Sequence, residues 1–253
     1  MNMFDLTGKN AFVIGAGGIG SAIAKGLAEQ GARVLVSDVS EKNAKAVVEA
    51  IKVIGGTASY LVADINSKAA VETLFAKVKT EFDTLDILVN SAGIGAFSSA
   101  VDMTEEIWNS VINHFLSSVF WCCREAGKIM IPQRHGKIVN LCSMSGVVVT
   151  GDSGSSYAAA KAGLIQLTKA LATEWIPYGV YVNGISPGMV RTALTAGMFD
   201  NNPQAVTEMN ALIPLGRIAQ PIDMVGPAIF LASAASDYVI GQNLLVDGGY
   251  TAR

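Results

Sequence analysis

The stretch that most narrows what this chain can fold into is residues 9–38. Residues 9–15 (KNAFVIG) are a short apolar run of strand length, and they pass directly into Gly15-Ala16-Gly17-Gly18-Ile19-Gly20. A helical pattern follows, with Ile23, Leu27 and Ala28 on one side and Gly31 as its stop. Residues 33–38 (RVLVSD) then read as a second strand that ends in an acid. Strand, glycine turn, helix, strand and acid make a dinucleotide-binding unit. The glycines permit a tight turn and let backbone N–H groups approach a pyrophosphate at the helix N-terminus. Asp38 would accept hydrogen bonds from ribose hydroxyls. A 2′-phosphate there would meet like charge, and no Arg or Lys lies in the turn or just after Asp38, so the reading is NAD rather than NADP.

The alternation continues along the chain. Residues 41–54 and 67–82 read as helices, and 57–63 and 85–91 as strands. Residues 105–131 read as helical, in one or two pieces. A strand at 136–143, a helix at 155–178 and a strand at 180–186 follow. Residues 188–220, with Pro203 and Pro214, look less regular. A last helix starts near Pro221, and residues 243–247 form the closing strand. Strands alternating with helices predict an α/β chain: one Rossmann-type, doubly wound parallel sheet with helices on both faces. No linker, repeat or low-complexity stretch divides it, so residues 1–253 read as a single dinucleotide-binding and catalytic domain. Ligands of such sheets bind outside the carboxyl ends of the strands, where Asp38, Asp64, Asn90, Ser143 and Pro187 fall.

Composition removes several classes. The formal charge of −3 and the lack of any Lys/Arg run disfavour nucleic acid as a partner. Cys122, Cys123 and Cys142 are odd in number and have no C-x-x-C or His-rich spacing. A disulfide framework or metal site is therefore not expected, and a reducing, cytoplasmic setting is. No run of about 18 uninterrupted apolar residues predicts a membrane span, and no signal-peptide pattern opens the chain.

Tyr157 and Lys161 stand four apart in an Ala-rich segment and share one helix face. An ammonium beside a phenol favours the phenolate and would lower its pKa from about 10, giving a base for an alcohol proton. A Y-x-x-x-K match is common by chance, and the rest of the chain gives it weight.

With these motifs in order, the chain resembles the short-chain dehydrogenase/reductase family over essentially its whole length. The resemblance rests on the glycine turn, Asp64, Asn90-Ser91-Ala92-Gly93, Ser143, Tyr157 with Lys161, Pro187-Gly188 with Thr192, and Asp247-Gly248-Gly249. Within the family, residues 143–146, 170–175 and 246–251 look most like polyol and sugar dehydrogenases, such as those of galactitol and gluconate. The resemblance implies hydride transfer between a secondary alcohol and the nicotinamide of NAD. Ser143, Tyr157 and Lys161 would be catalytic. Tyr157 would exchange the hydroxyl proton, Ser143 would fix the reacting oxygen, and Lys161 would hold the ribose and depress the Tyr157 pKa. Asp64 with Ile65 would contact the adenine. Asn90, Ala92 and Gly93 would line the cofactor groove, beside Gly15, Gly17, Gly18, Ile19, Gly20 and Asp38. Pro187, Gly188, Val190 and Thr192 would fix the carboxamide. Nothing in this chemistry needs a metal. Related proteins pair their long central helices into tetramers, so a homotetramer is expected.

Two departures stand out. The turn is one residue shorter than the family's T-G-x-x-x-G-x-G, and Ile14 replaces its Thr. Aligning on Trp108 and Phe120-Trp121 puts Phe115 where the family carries a water-anchoring Asn; Asn113 falls two residues earlier, outside the site. Ile107, Val111, Phe115 and Val119 form an apolar i, i+4 stripe that Phe115 completes. His114 reads as a helix residue facing a partner chain, His135 as part of a turn, and Cys142 as a small buried hydrophobe. Ser145 competes with Ser143 as the catalytic serine. Met189, Met198, Phe199 and Met209 could line a substrate pocket under residues 188–220 or serve packing equally well. The readings that remain beside a polyol dehydrogenase are a 3-oxoacyl thioester or other carbonyl reductase, and a non-catalytic NAD-binding scaffold.

Overall fold

The computed structural model describes residues 2–95, 98–150, 154–200 and 202–253. In chain order the elements are β1 (Asn10–Ile14), α1 (Gly18–Glu29), β2 (Arg33–Asp38), α2 (Glu41–Val53), β3 (Ala58–Val62), α3 (Lys68–Glu81) and β4 (Ile87–Asn90). Then come α4 (Glu105–Ile112), a π turn (Asn113–Ser117), α5 (Ser118–Gln133), β5 (Gly136–Leu141) and α6 (Ser155–Trp175). The last are β6 (Val180–Pro187), α7 (Ala196–Phe199), α8 (Pro203–Leu212), α9 (Val225–Ala232) and β7 (Asn243–Val246). The sheet runs β3-β2-β1-β4-β5-β6-β7 and every adjacent pair is parallel.

Both sheet faces are covered, and the two-residue strand period shows why. Phe12, Ile14, Leu35, Leu88, Ile138 and Val182 point to one side and meet α3, α5 and α6 through Leu74, Phe75, Cys122 and Leu164. Their neighbours Ala11, Val13, Val34, Val36, Ile87, Val89 and Val139 point to the other side and meet α1, α2 and α9 through Ile23, Leu27, Val47 and Leu231. Burying one such Leu or Phe contributes about 1.5–3 kcal/mol, so this two-sided apolar alternation fixes the sheet.

Helix starts are set by local chemistry. Ser40, Ser67, Thr104 and Asn202 each accept an N–H of the first turn they precede. The start of α1 is different: its N-cap is Gly17, which offers no side-chain acceptor. The helical reading of residues 105–131 holds, and two other segments depart from the sequence reading. Residues 105–133 form one helical run broken only by the π turn, and α6 ends at Trp175 before a single 3-10 turn (Ile176–Tyr178). Residues 188–220 hold two helices, α7 and α8. Pro203 is the first residue of α8 rather than a breaker, because the missing proline N–H costs nothing there.

Candidate active site

The strand ends, the glycine turn and the first turns of α1 and α6 meet along the carboxyl edge of the sheet. At the turn, Gly15 has φ +99, and a β-carbon on Gly20 would lie 1.9 Å from the Gly15 carbonyl oxygen. Glycine is obligatory at both places. The segment fits a dinucleotide: the first N–H groups of α1 have no side-chain cap, and a β-carbon on Gly17 would meet nothing within 4 Å, so the approach is open. Asp38 stands at the end of β2. Its Oδ2 accepts the Ala16 N–H at 2.8 Å and its Oδ1 accepts the Ser40 N–H at 2.8 Å. The carboxylate therefore closes the shortened turn as well as facing the groove edge, a role that residue order alone does not reveal.

Other predicted groove residues divide by orientation. Asp64 is exposed and its Oδ1 accepts the Asn66 N–H at 2.9 Å, whereas Ile65 packs into the core beside α3. The Asn90 amide is turned inward, donating to Asn140 Oδ1 at 2.8 Å, and ties β4 to β5. Ala92 backs against Gly15, and Gly93 lies near the Phe115 ring. Pro187 ends β6, Gly188 lies against Asp247, and Val190 is buried and bridges to Ala219. The Thr192 methyl lies against Gly18, and Leu194 reaches Gly95. Residues 190–195 thus cross from the start of α1 toward the chain beyond β4.

Ser143, Tyr157 and Lys161 are brought together. Ser143 is extended, follows β5 and accepts the Ser145 N–H on its Oγ at 3.1 Å. Ser145 instead pairs with Thr150 through its own hydroxyl, at 2.7 Å. Gly146 presses on α6, where a β-carbon would come 2.7 Å from the Lys161 carbonyl carbon; this close approach carries Ser143 to Tyr157. Lys161 Nζ is buried and donates to the Leu141 carbonyl at 2.6 Å. Burial holds Lys161 down to about 8.

The protonation of Tyr157 corrects the sequence expectation. Its pKa is raised, because burial of the phenol outweighs the hydrogen bond from Ser143 that pulls it down. Lys161 Nζ stands 5.7 Å from the Tyr157 ring centroid and spends a hydrogen bond on Leu141. The influences on the phenol are burial, Ser143 and Cys142, and Lys161 is not among them.

Phe115 lies inside the site wall. Its ring is 4% exposed, meets the Tyr157 ring edge-on at 4.9 Å and 86°, and has Lys161 Nζ 4.8 Å from its centroid. Asn113 points elsewhere, its Nδ2 donating to the Asn66 carbonyl at 2.7 Å. His114 also differs from its reading. It is buried rather than partner-facing, with Nδ1 2.9 Å from Asn66 Oδ1, and burial together with the Lys161 charge lowers its pKa. Phe199 is core, with Met189 and Met209 packed on it, while Met198 is exposed. A recess of about 440 Å³ beneath α8 is lined by Arg191, Asn210 and Arg217 and touches none of the three clustered residues. Its arginines are already paired, with Asp200 at 2.6 Å and with Asp223 at 2.7 Å. Cys122, Cys123 and Cys142 are buried free thiols. Among the described residues no cluster of His, Cys, Asp or Glu could hold a metal ion, and no helix is long and apolar enough to cross a membrane.

This fold and site define a nicotinamide-dependent oxidoreductase, and the chain belongs to the short-chain dehydrogenase/reductase family. A family profile described as enoyl-(acyl carrier protein) reductase matches residues 14–251. The chain is 36% identical to an NAD-dependent glycerol dehydrogenase of Listeria innocua, over 99% of this chain and 96% of the relative. It is 38% identical to a 3-oxoacyl-acyl-carrier-protein reductase of Chlamydia pneumoniae, over 97% of this chain and 98% of that one. Among solved structures, a gluconate 5-dehydrogenase from Burkholderia cenocepacia in complex with NADP and tartrate superposes with a TM-score of 0.93. The two are 34% identical, with 100% of this chain and 98% of the other covered.

Proposed function

We propose that this protein is an NAD-dependent dehydrogenase that oxidises a secondary alcohol of a polyol or sugar-like substrate, or reduces the matching ketone. The observation that carries the reading is the convergence of Ser143, Tyr157 and Lys161 beside an uncapped glycine turn that Asp38 borders. The polyol and sugar-acid relatives support the substrate class.

In this reading the N–H groups of residues 15–20 hold the pyrophosphate and Asp38 takes the adenosine ribose hydroxyls. Asp64 and Ile65 border the adenine, Asn90, Ala92 and Gly93 line the groove, and Pro187, Gly188, Val190 and Thr192 seat the carboxamide. The bound nicotinamide supplies the hydride acceptor or donor. Ser143 Oγ fixes the reacting oxygen and Tyr157 Oη exchanges its proton with it. Lys161 holds the nicotinamide ribose. With its pKa raised by burial, Tyr157 is a phenol at neutral pH, the form that donates a proton in ketone reduction; oxidation gains as pH rises. Residues 188–220 cover the substrate, and residues 1–253 act as one domain. The buried free thiols accord with a reducing compartment, and we place the protein in the cytoplasm.

The test is NADH absorbance across a panel of polyols and ketoses, with a 3-oxoacyl thioester as one arm. Turnover with polyols, lost by a factor of 10² or more in Tyr157→Phe, is expected. Turnover with the thioester alone would assign the reductase instead, undiminished activity in Tyr157→Phe would remove Tyr157 from the chemistry, and NADH binding without turnover of any member would leave a scaffold.

We further propose a homotetramer. Leu244 and Leu245 are partly exposed on the edge strand β7, and Trp108 is exposed on α4. Light scattering at micromolar concentration should give a mass well above the 26.4 kDa of one chain; a monomer would contradict it.

A further inference from the structure

We propose that Phe115 is a positioning residue: its ring face carries the Lys161 ammonium while its edge braces the Tyr157 ring, so that an aromatic side chain orients both. The proposal rests on the oxidoreductase reading of this cluster. Lys161 Nζ is nearer the Phe115 centroid, at 4.8 Å, than the Tyr157 centroid, at 5.7 Å, and the two rings cross at 86°. Phe115, the phenol ring and the ammonium therefore form a compact triangle in which Phe115 touches both of the others.

The ammonium needs such a contact. It is buried, its hydrogen bond runs to the Leu141 carbonyl, and among the described residues no carboxylate forms an ion pair with it. The face of an aromatic ring compensates a buried cation without a hydrogen bond. The π turn delivers the ring while satisfying itself, since the Asn113 carbonyl accepts both the Ser118 N–H and the Ser118 hydroxyl. A phenyl group has no donor or acceptor, so it anchors no water against Lys161.

The ionisable groups around Lys161 are Tyr157 on its own helix, Cys142 beyond β5 and His114 on the π turn, with Asp64 acting on His114. Cys142 is pushed up to about 11 and stays a neutral thiol. Against its burial, the Lys161 ammonium has the Phe115 face as its nearest aromatic surface. Burial holds Lys161 at about 8, so ketone reduction, which needs the Tyr157 phenol beside an ammonium, falls as pH rises through that value. In Phe115→Leu the apolar wall remains and the π face is gone. The ammonium is then less stable, and the alkaline limb of kcat moves to lower pH by about one unit. In Phe115→Asn an amide and water reach Lys161, and the limb moves to higher pH. Phe115→Tyr keeps the ring and the wild-type limb.

The experiment is the pH profile of kcat for NADH-dependent ketone reduction in these variants, with thermal unfolding and NADH fluorescence titration confirming folded, cofactor-binding protein. Phe115→Met replaces the leucine variant if the latter does not fold. Opposite displacements for Leu (or Met) and Asn, with Tyr unmoved, are the expected result. A folded leucine or methionine variant with the wild-type limb overturns the proposal, as does a limb displaced alike in all variants. A wild type that binds NADH but reduces no ketose of the panel would defeat the proposed substrate reading, a failure distinct from an active wild type whose limb ignores residue 115.

Discussion

Asp38 shows how one side chain can carry two duties that a linear sequence presents as one. In the proposed NAD reading its charge opposes a 2′-phosphate, and its two oxygens take the Ala16 and Ser40 N–H groups. NAD should be preferred to NADP in kcat/KM by at least about 2 kcal/mol, the scale of an opposed or unpaired buried charge. Asp38→Ala removes the charge but also orphans the Ala16 N–H. Leaving a buried donor unpaired costs about 1–3 kcal/mol, so the alanine variant should bind both cofactors more weakly. Asp38→Asn keeps one acceptor oxygen and loses the charge, and it is the variant that should narrow the preference. Steady-state kinetics with both cofactors decides this; equal kcat/KM in the wild type would sink it. Tyr157 and Lys161 were legible as a pair from helical spacing, and Ser143 was joined to them by the family resemblance. The protonation of Tyr157 was not legible, because it is set by burial, and spacing along a helix says nothing of what covers the phenol.

At the scale of elements, the sheet was readable because every strand is a short apolar run between turn residues, and the acid or polar residue at its end marks the site edge. The π turn was not read from the sequence, although the apolar stripe carries a signal for it that periodicity arguments pass over. The stripe Ile107, Val111, Phe115, Val119 steps by four throughout. At 3.6 residues per turn each step overshoots by about 40°, so three steps drift by about 120° in a regular α-helix. Val111, Phe115 and Val119 are nevertheless all buried, because the wider turn at Asn113–Ser117 takes up much of that drift. α8 was missed for a different reason. Asn202-Pro203 is a cap followed by a first-turn proline, and the Asn202 side chain accepts the Ala205 N–H at 3.1 Å. Its residues show no fully buried face, so no apolar stripe announced the helix. Phe115 was placed correctly on its stripe as an apolar residue, but its contact with Lys161 depends on α6 crossing at that height, which only tertiary packing supplies.

For the whole molecule, the sheet has two ends with opposite tasks. The carboxyl end is left open for ligands, with uncapped N–H groups and a buried ammonium, and the amino end is where the strands are locked together. Asp86, just before β4, is the centre of that lock. Its N–H donates to the Asn10 carbonyl and its own carbonyl accepts from Lys137, which joins β1, β4 and β5. Its carboxylate accepts the Asn10 N–H at 2.9 Å and Lys9 Nζ at 3.2 Å, with His135 Nε2 at 3.3 Å. Burial alone would raise this carboxyl, but the bonds from His135, Asn10 and Lys9 outweigh it and hold the group at about 2, below the ordinary 3.8. A carboxyl depressed in the folded state stabilises the fold above the unfolded pKa, and that stability is lost as pH falls through the folded value. The window here is from about pH 4 down to about pH 2. A shift of this size corresponds to about 2 kcal/mol at neutral pH. Asp86→Asn should therefore lower unfolding free energy by about that amount in urea titrations at pH 7. Both proteins should converge as the titrations are repeated toward pH 2, where the wild-type carboxyl also becomes neutral. A stability gap that stays the same from pH 7 to the acid limit would mean that Asp86 contributes through packing and backbone bonds rather than through its charge.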